Sequence, residues 1–181
     1  MALVDWMWNR TAAIASLPVF AGFFVVSLLF IFVLFPLTKK HYPNATTFDG
    51  DRWGFAPSEA PRIIAQFTPD QLRVYRKQEL ITDLFFPLVY GIGFAVAMVL
   101  LARYTGAPRW LIVLPFIAAV ADYFENFSVV GMIARQLDGK PLGAYAVIGS
   151  IASRIKHGFL LVTILVLIGL GAWGLWQKYA R

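Results

Sequence analysis

Apolar positions in this chain gather into four long runs, separated by polar or turn-forming segments. A helix needs about 20 apolar residues to cross the hydrocarbon core of a bilayer. On that measure the pattern predicts spanning helices over about residues 12–37, 81–102, 110–134 and 150–176. Lys39 and Lys40 close the first run, and Trp6 and Trp8 ahead of it are placed as interfacial anchors. The polar and amphipathic segment 41–80 is too long for a simple turn. Within it, residues 57–67 read as a short amphipathic helix lying on the bilayer surface.

Thr68-Pro69-Asp70-Gln71 has the form of a helix start: a capping threonine, proline in the first turn, and a glutamine able to complete a capping box. The helix it opens is expected to run unbroken over 69–102, with a kink at Pro87. Turns at 104–108 and 136–143 then separate a helix over 109–135 from a last helical region over 144–178. Short links between the last three spans imply an antiparallel four-transmembrane-helix bundle, one membrane domain over 1–181. Gly91, Gly93, Gly169, Gly171 and Gly174 would permit close helix contacts.

Composition agrees with the pattern. Of 181 residues, 59% are hydrophobic and 14% charged, against about 45–50% and about 25% in soluble domains. The chain therefore reads as an all-α integral membrane protein. The first run is too long for a signal-peptide core and lacks a small-x-small cleavage site, so it reads as a retained helix. The net charge of +6 gathers at the ends of the apolar runs, which fits membrane lipid headgroups and not nucleic acid. Having no cysteine, the chain has no disulfide, thiolate metal site or cysteine nucleophile. Arg10, Arg103, Arg109, Lys178 and Arg181 are the five basic residues on one face, and the other eleven fall on the opposite face. The positive-inside rule then puts segment 41–80 in the cytoplasm and both termini on the other side.

Candidate chemistry lies in the third run. Asp122, Glu125 and Asn126, at i, i+3 and i+4, share one helix face. Ionisable groups cost about 2.5–3.5 kcal/mol each in mid-membrane on insertion scales, so partners or a wet cavity are required. On the second helix Glu79, Asp83, Pro87 and Tyr90 share a face; on the fourth, Ser150, Ser153, Arg154 and His157 form a polar stripe with Lys156 slightly off it. These groups fall at one depth, towards the face of segment 41–80. Asp122, Glu125 and Asp83 are the candidates for proton chemistry, with Asn126 orienting. Arg154, Lys156, His157, Glu79, Tyr90, Ser150 and Ser153 are candidates for binding a ligand or balancing charge. Phe85, Phe86, Phe124 and Phe127 adjoin the layer as walls for an apolar ligand.

With one histidine in the spans, an imidazole-rich metal site does not fit. An oxygen-ligated Mg²⁺ stays open, serving a phosphorylated lipid beside Arg154 and Lys156, but no cofactor is strongly implied. No nucleophile elbow, P-loop or dinucleotide fingerprint is present, and Gly91-Ile92-Gly93 alone is helix packing.

Four helices, this length and intramembrane acids resemble the sterol-isomerase and sigma-2-receptor group. Glu79-Leu80 and Phe85-Phe86-Pro87 are similar to a stretch opening that group's second helix. The resemblance implies a pocket for an apolar amine or sterol. The chain departs from it in a first helix without an acid and in the lack of a tryptophan in the polar layer.

Three functions compete. The leading one is an intramembrane acid/base pocket that binds or modifies a lipid-like apolar ligand. The second is a proton- or ion-coupled transporter or channel subunit, working as a homo-oligomer; it would show flux in liposomes. The third is a non-catalytic membrane scaffold whose ion pairs only fix helix register. In that case paired neutralisation would restore both stability and phenotype.

Overall fold

A computed structural model describes residues 2–50 and 53–180. Arg52 and Arg181, both counted in the orientation argument, lie outside them. The described residues are helical or loop, with no strand. Helices α1 (Ala2–Ile14), α2 (Leu17–Leu29), α3 (Phe35–Lys39), α4 (Ala60–Ile64), α5 (Pro69–Thr105), α6 (Val113–Leu137) and α7 (Ala144–Tyr179) follow in chain order. Four helical stretches are long and apolar enough to cross a membrane: Leu17–Lys39, Pro69–Thr105, Arg109–Leu137 and Ala144–Tyr179.

The first run is divided, and prolines account for the division. Pro18 has no N–H for the carbonyl of Ile14, which weakens the helix at this point. The chain extends at Ser16 (φ −144°, ψ 160°) and restarts at Leu17. The Arg103 guanidinium takes up freed carbonyls at the break, donating to Ala12 O and Ala15 O at 2.9 Å each. Trp8, expected ahead of the spans, belongs to α1 and lies under the Arg109 guanidinium, 5.7 Å from ring centre to Cζ. Further on, the helix widens into a π turn over Phe30–Leu34, just before Pro36. Such turns gather where a helix must present side chains off its regular register.

At the start of α5 the capping box forms: Thr68 Oγ1 accepts from Gln71 N (3.3 Å), and Gln71 Oε1 accepts from Thr68 N (2.9 Å). The helix runs unbroken through Pro87 and ends at Gly106, whose φ of 71° is left-handed and suits a residue without a side chain. Close approaches involve Gly91, which faces Ala119 on α6, and Gly93, which faces Phe23 on α2; a Cβ at either would come within 3.1 Å of its neighbour. Gly169 and Gly171 face open space, so they make no such contact.

Segment 41–67 folds as a cap over one end of the spans. Only Ala60–Ile64 of its expected amphipathic helix is helical. Its shape comes from a small apolar core in which Tyr42, Phe48, Phe55 and Ile64 are buried with Tyr75 of α5 and Val129, Met132 and Ile133 of α6. Ser150 Oγ on α7 donates to Phe55 O at 2.6 Å, and Gly54 (φ 79°) lets the loop lie directly on Ser153. The first span packs chiefly along α5, whereas α5, α6 and α7 pack on one another.

Candidate functional site

Lys156 on α7 is the centre of the polar layer. It is 5% exposed, and its ammonium forms ion pairs with Asp49 of the cap and with Asp122 (3.3 Å) and Glu125 of α6. Tyr90 Oη on α5 donates to the second Asp122 oxygen at 2.9 Å. α6 and the cap thus meet at the amine of α7, and α5 joins them through the Tyr90–Asp122 hydrogen bond. In a poorly hydrated interior such neutralisation offsets the desolvation of each charge only if all partners are in place.

Asp83 lies beside this knot, one turn before Pro87. Gln78 Nε2 donates to its carboxylate at 3.0 Å, and the Gln78 side-chain oxygen accepts from Tyr42 Oη. No ion pair of Asp83 is found among the described residues. Asn126 uses its amide differently from expectation: Nδ2 donates to the backbone carbonyl of Asp83 at 2.9 Å. That carbonyl is the one Pro87 leaves without its helical donor. Tyr123 Oη donates to the next carbonyl, Leu84 O, also at 2.9 Å. Asn126 and Tyr123 therefore hold the proline-weakened turn of α5.

Glu79 is 2% exposed, and among the described residues neither of its carboxyl oxygens has a hydrogen-bond partner. Glu125, 1% exposed, meets Lys156 at ion-pair distance but without hydrogen-bond alignment. Outside the spans, two groups show clear electrostatic effects. Burial works to raise the Asp49 carboxyl, but the charge and hydrogen bond of the Lys156 ammonium outweigh it and hold the group below the ordinary carboxylate range. Burial, followed by the charges of Glu79 and Asp83, pushes the Tyr42 phenol above its ordinary value and keeps it a donor.

A cleft of about 510 Å³ opens against this layer, within the size range of small-molecule sites. Its polar end is lined by Asp49, Asp83, Asp122, Asn126, Lys156 and His157. Its apolar end is lined by Phe20, Phe24, Leu28 and Ile31 of the first span, Phe86 and Phe94 of α5, and Leu160 and Ile164 of α7. Of the four phenylalanines expected as walls, only Phe86 lines the cleft; Phe85, Phe124 and Phe127 are more than half exposed on the outside.

The structure thus gathers Asp122, Glu125, Asp83, Tyr90, Asn126 and Lys156, with Glu79 behind them. Ser150 and Ser153 face the cap instead, and His157 Nδ1 bonds its own helix at Ser153 O (2.8 Å). Arg154 is exposed and stands away from the cluster. Two residues are about 200° apart around a helix, so Arg154 and Lys156 cannot both face inward. The small residues Ala146, Gly149 and Ala152 mark the packed face, and Lys156 continues their spacing; that signal was in the sequence. Asp49, Tyr42 and Gln78 carried none, because Asp49 stands 107 residues from the lysine it meets.

Among the described residues, no group of three or more histidine, aspartate or glutamate side chains is arranged to hold a metal ion. The Lys156 ammonium occupies the space between Asp49, Asp122 and Glu125 that a cation would need. No protein-family model, curated protein or solved structure matches this chain, so the geometry alone carries the functional reading.

Proposed function

We propose that this chain is a membrane-embedded binding protein for a lipid-like amphiphile, whose apolar body fills the aromatic part of the cleft and whose head rests on the carboxylate layer. The carrying observation is a cleft that is apolar at one end and lined at the other by ionisable groups, Asp83, Asp122 and Lys156 of them buried. Intramembrane ionisable groups mark functional sites by default.

Charge favours one kind of head. Three carboxylates line the polar end, and the buried ammonium there is already met by Asp49, Asp122 and Glu125. Arg154 is turned away and Lys39 is the second cation of the lining, so three carboxylates face two ammoniums and a phosphate would still meet net negative charge. A head that donates hydrogen bonds, a hydroxyl or an amine, would complement Asp83. Proton transfer to such a head would run through Asp122, which lines the cleft and is held by Tyr90 and Lys156; Glu125 lies behind the lysine.

The surrounding architecture is read as an antiparallel four-helix bundle forming one domain. Asp83 pairs with Asn126, and Gly91, further along α5, meets Ala119, earlier on α6, which supports opposite directions for these two helices. By the positive-inside rule the cap and polar layer lie on the cytoplasmic side.

Mass spectrometry of small molecules retained by purified wild-type protein and by Asp83→Asn, normalised to folded protein, tests the binding reading. A specific amphiphile enriched in the wild type is expected. Identical bulk phospholipids in both preparations would remove the reading.

A further inference from the structure

The geometry points to lateral loading: the ligand enters the cleft from within the bilayer, between the first span and α7, and not from water past the cap. This rests on the amphiphile-binding reading above and adds the route and the source, a molecule already dissolved in the leaflet on the cap side.

The first observation is the packing of the walls. The first span and α7 form opposite sides of the cleft, yet the first span packs chiefly along α5. Their most apolar windows are the least enclosed of the four, 0% buried in the first span and 6% in α7, against 50% and 61% in the other two. Two helices that wall a cleft without packing on each other leave its side open to whatever surrounds them.

The rim is the second observation. Phe24, Ile31 and Ile164, which line the cleft from the two sides, are 53%, 45% and 42% exposed. In a spanning segment that exposure is to lipid chains. The polar rim group Ser27 is satisfied within its own helix, donating to Phe23 O at 2.9 Å. An apolar chain can therefore cross the rim without stripping any hydrogen bond from it.

The third observation is that the other end is polar and charged: Lys39, Thr47, Asp49 and Lys156 line it, with Lys39 and Asp49 exposed. The cap is held together by fully buried Tyr42 and Phe48, by the Phe48 N–H donating to Tyr75 Oη (3.2 Å), and by the Asp49–Lys156 pair. Entry from water would take an apolar body past these charged groups and part the Asp49–Lys156 ion pair, whose carboxylate side is 44% exposed. The lateral route passes the apolar side chains of Phe24, Ile31 and Ile164, so it is the less costly one for an apolar body.

Because the chain has no cysteine, a single nitroxide can be placed on Phe94→Cys or Leu160→Cys, two independent positions at the apolar end. In phosphatidylcholine vesicles, relaxation by oxygen, which partitions into lipid, is compared with relaxation by a water-soluble nickel chelate. Leu165→Cys on the outer face of α7 (58% exposed) is the lipid reference, and Thr46→Cys on the cap is the aqueous one. Labels inside the cleft are expected to give the oxygen-to-nickel ratio of the Leu165 position, read on whichever variants elute as wild type does. A ratio equal to that of the Thr46 position overturns lateral loading. The retained-ligand measurement is separate: an amphiphile found together with an aqueous ratio rejects only the route. A lipid-like ratio with no retained amphiphile upholds the open side and rejects the binding reading.

Discussion

Asn126 Nδ2 lies 2.9 Å from the backbone oxygen of Asp83, the carbonyl that Pro87 leaves without a helical donor. A proline inside a spanning helix is tolerated when neighbouring side chains satisfy the freed backbone, and here the neighbour is identified. The consequence is positional. The turn that carries the Asp83 side chain into the cleft is held in part by α6, which supplies the donor that α5 lacks there.

Removal of that donor should therefore be felt only while the proline is present. Asn126→Ala is expected to destabilise by about 1–3 kcal/mol, the cost of an unsatisfied buried carbonyl. Pro87→Ala restores the N–H and should make Asn126→Ala much less harmful. A double-mutant cycle by thermal unfolding in detergent measures the coupling. Additive effects would refute the assignment.

The lysine knot predicts a larger loss. Lys156→Met leaves Asp49, Asp122 and Glu125 without their common cation, which costs about 3–5 kcal/mol when a buried pair is broken on one side. Adding Asp122→Asn and Glu125→Gln should recover much of the stability. If the triple variant also binds like the wild type, the layer is purely structural, as the scaffold reading holds. Recovered folding with lost ligand retention favours the binding site.

The cap should loosen with acid, and the sign follows from Asp49. Its carboxyl is held below the unfolded value of 3.8 in the folded protein. The tether to Lys156 therefore contributes fully above pH 3.8, and its contribution is lost as pH falls from there through the lower folded value. With 44% of its side chain exposed, Asp49 is screened and the effect is modest. Hydrogen exchange across 41–67 should stay constant from neutral pH to about 4 once intrinsic rates are removed, then rise. Asp49→Asn should show the loosened cap at every pH. A transition centred near neutral pH would contradict this assignment.

How far the sequence carried is clearest at single residues. Asp122, Glu125 and Asn126 share a helix face because their spacing dictates it, and they meet α5 because Asp83 and Tyr90 lie on the facing stripe of that helix. The capping box at Thr68 and Gln71 was equally legible, since it is local. The break before Leu17 was legible in principle from Pro18, but hydropathy alone ran straight over it. Arg154 looked equivalent to Lys156 until the small residues of α7 are used to find the packed face. Asp49 was not readable at all, because a loop folded on its own aromatic core decides where it lands. Periodicity finds faces; it does not find which loop closes over them.

Glu79 gives the sharpest contrast with the lysine knot. It is buried as deeply as Glu125, yet among the described residues neither oxygen has a donor, and the charges acting on it are those of Asp83, Asp49 and Glu125, with Lys156 opposing them. An acid in this position adds no pairing energy, while a buried polar group without a partner costs about 1–3 kcal/mol in mutational data. Glu79→Gln keeps the shape and supplies N–H groups to the surrounding acceptors, so its melting midpoint should match or exceed that of the wild type. Glu125→Gln, which removes a partner of Lys156, should lower it. Thermal unfolding of the two variants in the same detergent makes the comparison. A fall for Glu79→Gln as large as that for Glu125→Gln would mean that Glu79 has a role in the polar layer that its surroundings do not reveal.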